Sequence, residues 1–531
     1  MSQAVAPPQT IGVVGAGTMG AGIAQLACTG GARTLLHDPV PEALERGLEA
    51  IRRHLRRGVE RRRLSEEQAT EAEARLEAAP AVGDLAGAEL VIEAAPEQLE
   101  LKRELFAILS RTAGPECVLA TNTSSLLVTA IAAAAEDPSR VVGMHFFNPA
   151  PVMALLEVVA GEQSSERALA VARAAGELMG KRVIEAVDGP GFLVNRCNRP
   201  FGLEALKLLA EQVAPLAEID RICRQGGGFR MGPFELMDLV GVDVGLAVAR
   251  SFYEQSFGEP RWQPSPIAVK TVAAGRLGRK SGRGYYAYPE GGAHRPPDPD
   301  PPLVGGGDGL IVISGDSALA AEIDELADAA GWQVASPLEA EGEIPYLILD
   351  LSVGEELELP LQGGPQAICC AAGSLAALDP GGASVGFHFL PPLAECELVE
   401  LTRGPDTAAS AAAAAERFFG TLGMHVVWVG DAPGLVLGRI IAQLINEAAF
   451  ALGEGVGSGA DIDTGMVHGL NYPRGPLAWA DQIGIDHVLA LLDGLYDERR
   501  EERYRAAPAL RALSWSARTG RETGEGFFSY E

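Results

Sequence analysis

The sequence predicts a doubly wound α/β sheet followed by an all-helical domain, with the pair repeated in tandem and the second copy degenerate. Three observations carry this reading. HFFNP at His145 returns as HFLPP at His388, 243 residues later. PGFLVNR from Pro190 returns as PGLVLGR from Pro433, and GPFELMDLVGVD from Gly232 as GPLAWADQIGID from Gly475, all at the same spacing, a regularity that chance does not supply. Through residue 188, apolar strand-like runs (IGVVGAG, TLLHD, LVIEAA, VLATN, VVGMHFF) alternate with helical stretches, as in a parallel sheet covered by helices. From Pro190 the apolar residues fall at helical spacing with almost no alternation, as in FLVNRCNRPFGLEALKLLA, which indicates an all-helical domain.

A fourth pair, SGRGYY from Ser281 and TGEGFF from Thr523, is shifted by 242 and closes each unit. The expected division is a first sheet domain over 1–188, a helical domain over 189–288, a Pro/Gly-rich linker over 289–308, a degenerate second sheet domain over 309–431 and a second helical domain over 432–531. A chain of 531 residues needs several cores in any case.

The formal net charge of −28 opposes binding to nucleic acid or to anionic membranes. No apolar run of spanning length is present, and the N-terminal MSQAVAPPQT lacks the features of an export signal. The seven cysteines form no CxxC pair, so neither a disulfide framework nor a metal site is expected. These features point to a cytoplasmic protein without a metal.

IGVVGAGTMGAGI places Gly15, Gly17 and Gly20 at GxGxxG spacing between an apolar strand and a helix that stops at Gly30 and Gly31. The first glycine makes the tight turn and the second admits a pyrophosphate against the backbone. The third lets helix pack on strand, and the helix N-terminus meets the phosphate charge. Asp38 ends TLLHD, 18 residues beyond Gly20, where an acid binds a ribose 2′-hydroxyl and repels a 2′-phosphate. This Rossmann-type fingerprint favours NAD over NADP, although alone it does not exclude FAD.

His145 follows the strand VVGM, and Glu157 comes 12 residues later at the end of a second apolar run. A carboxylate on one ring nitrogen fixes the tautomer and leaves the other free to take a proton from a substrate hydroxyl. The alternative is a histidine satisfied within a core. The surrounding residues decide between them: GMHFFNPAPVMALLEVV, with TNTSSL before it and PGFLVNR after it, resembles the signature of the 3-hydroxyacyl-CoA dehydrogenases. The resemblance covers about residues 10 to 288, ending in GRKSGRGYYAY, and a second helical-domain match covers about 432 to 530.

The resemblance implies NAD-dependent oxidation of (S)-3-hydroxyacyl-CoA to 3-oxoacyl-CoA. It assigns His145 as catalytic base, Glu157 as its carboxylate partner, and Ser124 and Asn195 as holders of substrate oxygen atoms. On the residues alone, Ser124 could close a turn and Asn195 could cap a helix. It also implies NAD contacts at Glu97, Lys102, Asn122, Asn148 and Lys280; Glu97 and Lys102 otherwise read as an exposed charge pair. Seven arginines lie between Arg52 and Arg63 on a helix that breaks near Leu64 and restarts at SEEQ, a capping-box pattern. They could hold the phosphates of coenzyme A, or form a solvated face offset by Glu66, Glu67, Glu71 and Glu73.

The duplicated layout is similar to bacterial 3-hydroxyadipyl-CoA dehydrogenases of phenylacetate breakdown, while 3-hydroxybutyryl-CoA and longer acyl chains stay open as substrates. A reading from another class is a catalytically silent NAD-binding scaffold. In the second copy His388 and Glu400 keep their spacing, but Gly438 stands at the Asn195 position, Pro391 at that of Asn148, and glycine at that of Ser124. GLIVISGDSAL also lacks the GxGxxG spacing, so this copy is expected to bind no NAD and turn nothing over. Its expected use is architectural, giving an internal pseudo-dimer or a protomer that still forms a homodimer, with an acyl-CoA as the small-molecule partner.

Overall fold

The computed structural model describes residues 5–290, 292–315, 317–353 and 363–530. Two parallel-type sheets organise it. The first contains β1 (Thr10–Val14), β2 (Arg33–His37), β3 (Leu76–Ala78), β4 (Leu90–Glu93), β5 (Val118–Thr121), β6 (Val141–Phe146), β7 (Leu155–Ala160) and β8 (Arg182–Val187), in the order 3-2-1-4-5-6-7-8. Its central strands are buried almost throughout, as expected where helices cover both faces. All neighbours are parallel except β6 and β7, which run antiparallel with His145 opposite Glu157.

The turn after β1 leads into helix Thr18–Gly30, which ends on Gly31 in the left-handed conformation. Helix Pro41–Glu60 follows β2, and Ser65 and Gln68 close a capping box at the start of helix Glu66–Ala74. Each parallel strand thus delivers its C-terminal end, and the loop after it, to one edge of the sheet, where ligands bind in such folds.

The second sheet, among the described residues, contains β9 (Leu310–Ser314), β10 (Gln333–Ala335), β11 (Leu347–Asp350), β12 (Gln366–Cys369), β13 (Val385–His388), β14 (Leu398–Arg403) and β15 (His425–Trp428). Its order is 10-9-11-12-13-14-15, and β13 and β14 are its antiparallel pair, with His388 opposite Glu400. Among the described residues, the second sheet thus repeats the first without a counterpart of β3.

The chain condenses into two compact units: one runs through Arg196 and includes Glu454–Leu470, and the other comprises Cys197–Gly453 with the chain from Asn471 onward. The helical segments are therefore exchanged. Helix Gly459–Leu470, from the second repeat, packs on β7 and β8 within the first unit. Its counterpart from the first repeat, helix Leu216–Arg221 with the π-helical turn Ile222–Gly226, packs on β14 within the second.

The long helices Arg199–Ala210 and Leu437–Gly453 pack on each other inside the second unit. Here the guanidinium of Arg439, 0% exposed, pairs with Glu204 and, at 2.7 Å, with Glu211. The Tyr504 hydroxyl donates to Glu204 at 2.9 Å, and Arg261 pairs with Glu447 at 2.9 Å. Glu447 and Tyr504 stand 243 residues beyond Glu204 and Arg261. The contact is thus made twice with the roles of the copies exchanged, as in an isologous interface.

Removing one partner of a buried ion pair leaves the other charge uncompensated. Arg439→Met is expected to cost about 3–5 kcal/mol of unfolding free energy, measured by urea denaturation. A loss within about 0.5 kcal/mol, as for an ordinary surface substitution, would refute the role given to this pair.

Candidate active site

The turn after β1 is built from close approaches. Gly15 has φ +99°, and a Cβ there would meet the Ala94 carbonyl oxygen at 2.7 Å. A Cβ on Gly20 would meet the Gly15 carbonyl oxygen at 1.7 Å, whereas one on Gly17 would meet nothing within 4 Å. Gly15 and Gly20 thus close helix onto strand, and Gly17 opens its backbone toward a cleft of about 1360 Å³. Asp38 lines that cleft and accepts from Ala16 N at 2.8 Å and Val40 N at 3.0 Å. Open backbone at Gly17, the adjacent helix N-terminus and a fixed carboxylate suit a dinucleotide with a free ribose 2′-hydroxyl.

The arginine-rich helix is divided by its own periodicity. Arg53, Arg57 and Arg61, four residues apart, line the cleft with Arg46 and Arg63. Arg52 pairs instead with Glu73 at 3.1 Å, and Glu71 with Arg75 at 2.8 Å. Burial, together with the charges of Arg53 and Arg57, holds His54 below the ordinary histidine range. The glutamates therefore leave one cationic stripe facing the cleft.

At the antiparallel step, His145 Nδ1 lies 2.6 Å from Glu157 Oε2. The other oxygen, Oε1, accepts from Leu193 N at 3.1 Å and Val194 N at 2.9 Å. Glu157 is 0% and His145 6% exposed, so the pair is shielded from water. Phe147 and Phe192 pack on the imidazole with centroids 4.6 and 5.9 Å away. Since Nδ1 faces a carboxylate, it carries the proton, and Nε2 presents a lone pair. Nε2 has no hydrogen-bond partner among the described residues. Asn195 immediately follows the Val194 amide that holds Glu157, in the short helix Val194–Cys197.

The segment after β5 is tied to both neighbours. Asn122 Oδ1 accepts from Phe146 N at 2.9 Å, joining it to the strand of His145. Glu97 Oε1 gathers the Thr123 hydroxyl at 2.6 Å, Ser124 N at 3.0 Å, and the amide and hydroxyl of Ser125 at 3.1 and 3.0 Å. The Ser124 hydroxyl makes no hydrogen bond among the described residues, while Ser125 is committed to Glu97. Burial acts to raise the Glu97 carboxyl, but the Thr123 hydrogen bond, the charge of Lys102 and the serine donors outweigh it and hold it below its ordinary range.

Lys102 is not one half of an exposed pair. It is 1% exposed and bonds Glu93 Oε1 at 2.6 Å and the Ala95 carbonyl at 3.3 Å, with Glu97 Oε2 at 3.5 Å. Glu93 lies within an apolar strand, so no sequence signal separated it from the core. Asn148 is exposed beside Pro149. Lys280 lies in the second compact unit, paired with Asp243 at 2.6 Å, and is not brought together with the others by the first unit. Sequence reasoning also missed Lys181, whose ammonium, pushed down by burial to about 8, donates to the carbonyls of Ala150 and Met153 at 2.6 Å. It thereby fastens the turn after His145. Among the described residues no cluster could hold a metal ion, and no helix is long and apolar enough to cross a membrane.

Comparison with known proteins decides the family. The model of the 3-hydroxyacyl-CoA dehydrogenase NAD-binding domain matches residues 10–189, and that of the C-terminal domain matches 191–288 and again 434–530. The chain belongs to the 3-hydroxyacyl-CoA dehydrogenase family. It is similar to the 3-hydroxyadipyl-CoA dehydrogenase of Escherichia coli K12, with 37% identity over 505 residues covering 95% of this chain and 97% of the relative. A crystal structure of 3-hydroxybutyryl-CoA dehydrogenase from E. coli K12 aligns with a TM-score of 0.80 at 35% identity, covering 96% of this chain and 98% of that one. A probable 3-hydroxybutyryl-CoA dehydrogenase of Bacillus subtilis is 40% identical over 278 residues, 52% of this chain and 96% of the relative. The protein is thus an NAD-dependent oxidoreductase with an acyl-CoA substrate.

Within a 3-hydroxyacyl-CoA dehydrogenase, the second repeat is instructive because its histidine and glutamate share a register but not a bond. Glu400 accepts from Val436 N at 2.8 Å and Leu437 N at 2.9 Å. His388 faces His487 instead, with Nε2 atoms 3.4 Å apart, and its buried Nδ1 has no partner among the described residues. The ring occupies the space beside Gly438, where a Cβ would meet His388 Cε1 at 2.2 Å. Burial pushes His388 well below the ordinary histidine range and His487 to about 4, and raises Glu400 to about 8. All three are therefore neutral at mildly acidic to neutral pH.

These shifts give stability a pH dependence of known sign. A carboxyl raised on folding keeps more protons in the folded state, so its contribution is lost as pH rises from about 4.5 to about 8. The two histidines act oppositely, their contribution being lost as pH falls below about 6.5. Glu400→Gln removes the alkaline limb. It is expected to be more stable than the parent at pH 9 by on the order of a few kcal/mol, with little difference at pH 5, as measured by thermal unfolding. Equal alkaline sensitivity in both proteins would refute the protonated state of Glu400.

Proposed function

We propose that His145 is the general base of this dehydrogenase, that Glu157 orients it, and that Ser124 and Asn195 hold the substrate oxygens. The observation that carries the reading is the buried His145–Glu157 pair, which commits Nδ1 and directs a lone pair from Nε2. His145 Nε2 takes the proton of the C3 hydroxyl as the C–O bond becomes a carbonyl. NAD, when bound, accepts the hydride from C3, so that (S)-3-hydroxyacyl-CoA becomes 3-oxoacyl-CoA. Glu157 stabilises the imidazolium. The Ser124 hydroxyl is available for the substrate oxygen, and Asn195 follows directly on the amide that fixes Glu157.

Gly15, Gly17 and Gly20 would seat the pyrophosphate, Asp38 the ribose, and Asn122, Asn148 and Glu97 the nicotinamide end. Lys102, enclosed behind Glu97, holds that carboxylate in place rather than reaching the cofactor. Lys280 we assign to the cofactor on family resemblance alone. The stripe of Arg53, Arg57 and Arg61 suits coenzyme A phosphates. Similarity along the whole chain to a 3-hydroxyadipyl-CoA dehydrogenase supports that acyl group in phenylacetate catabolism; the match to a 3-hydroxybutyryl-CoA dehydrogenase structure supports the alternative. A cytoplasmic setting is supported by seven buried cysteines with no disulfide framework. The exchanged helices support an internal pair in place of a homodimer.

His145→Gln is expected to lower kcat by about 10²–10⁴-fold without changing NAD affinity, while His388→Gln leaves kcat as it was. NADH formation from (S)-3-hydroxyadipyl-CoA and (S)-3-hydroxybutyryl-CoA measures both effects and ranks the acyl groups. Full turnover in the His145 variant, or no NADH from either substrate, would refute this assignment.

A further inference from the structure

The decayed repeat does more than occupy space, because one of its helices lies against the residues that hold the catalytic pair. Gly465 approaches Val194 Cγ2 so closely that a Cβ would meet it at 2.8 Å, and Ile184 Cδ1 at 3.0 Å. A Cβ on Gly469 would meet Leu155 Cδ2 at 2.7 Å, Val194 Cγ1 at 3.4 Å and Phe147 Cζ at 3.5 Å. Before this helix, Gly457 bears in the same way on Leu193, with its two δ carbons 3.0 Å from a Cβ. Val187 N donates to Val456 O at 2.9 Å, and Arg196, its side chain 6% exposed, pairs with Glu454 at 2.7 Å.

The residues touched are the ones that matter for His145. Leu193 and Val194 supply the two amides on Glu157 Oε1, Phe147 packs on the imidazole, and Asn195 lies between Val194 and Arg196. We infer that the segment Glu454–Leu470 of the second repeat is a positioning element for the active site of the first, holding Leu193–Arg196 so that Glu157 and Asn195 keep their geometry. This rests on the reading of His145, Glu157 and Asn195 given above.

The repeat provides an internal control. Gly226 is the counterpart of Gly469, and a Cβ there would meet Leu437 Cδ2 at 3.2 Å and Leu398 O at 3.7 Å. Leu398 and Leu437 stand 243 residues beyond Leu155 and Val194. The same kind of contact is therefore made once on the loop that holds Glu157 and once on the loop that holds Glu400, with no working pair behind the second. A role in stability alone treats the two glycines alike; a positioning role does not.

The experiment compares Gly469→Val and Gly226→Val in the full chain, recording melting temperature, kcat and KM for NAD with the better acyl-CoA substrate. Both variants are expected to melt lower, but only Gly469→Val should lose kcat, by about tenfold or more, with KM for NAD within about twofold of the parent. Glu454→Gln, isosteric and able to fold if Gly469→Val does not, should lower kcat in the same direction without a matching fall in melting temperature. Parental kcat in Gly469→Val, or, where that variant does not fold, in Glu454→Gln, would overturn the inference, as would equal kcat losses in the two valine variants. His145→Gln, run alongside, separates the cases: if it keeps full activity, the assignment of the base fails, whatever the glycine variants show.

Discussion

Glu157 is a carboxylate with no exposure to water, and the candidate active site is arranged around keeping it satisfied. Two backbone amides take one oxygen and the imidazole of His145 takes the other. A buried carboxylate without such partners would be strongly destabilising, so the amides of Leu193 and Val194 must be where they are. That requirement reaches outward. It ties the start of the helical segment to β7, it places Asn195 one residue later, and it is met by the antiparallel register of β6 and β7, which sets His145 opposite Glu157.

The features legible in the sequence were those with local spacing. The GxGxxG turn, Asp38, the histidine and glutamate on adjacent strands, the capping box at Ser65 and the two sheets all follow from residue type and periodicity. What was not legible depended on contacts between distant segments. Glu93 sits in an apolar strand and gives no signal until Lys102 is folded onto it. The division of the arginines into a cleft stripe and a solvated remainder needs the helix to be placed against the sheet. Lys181 shows its role only when two carbonyls of the turn after His145 converge on it.

The exchange of helices was also invisible in the spacing of the repeats, which would be identical if each helical segment stayed with its own sheet. The reciprocal pairs reveal it: Arg439 with Glu204 and Glu211, Arg196 with Glu454, Arg261 with Glu447. Each unit therefore contains a helical segment of the other repeat, and removing Glu454–Leu470 would uncover β7 and β8. The sheet of the second repeat, among the described residues, has no counterpart of β3.

The ring of His388 beside Gly438 decides what position 438 can hold. With no side chain at 438, the imidazole of His388 fills the space beside it, and a Cβ there would stand 2.2 Å from the ring. An asparagine can enter this position only if the His388 ring, whose buried Nδ1 has no partner among the described residues, first leaves the space it fills. A substitution at 438 is therefore never local: it displaces a buried ring, and exchanging glycine for asparagine rebuilds nothing until that ring has moved.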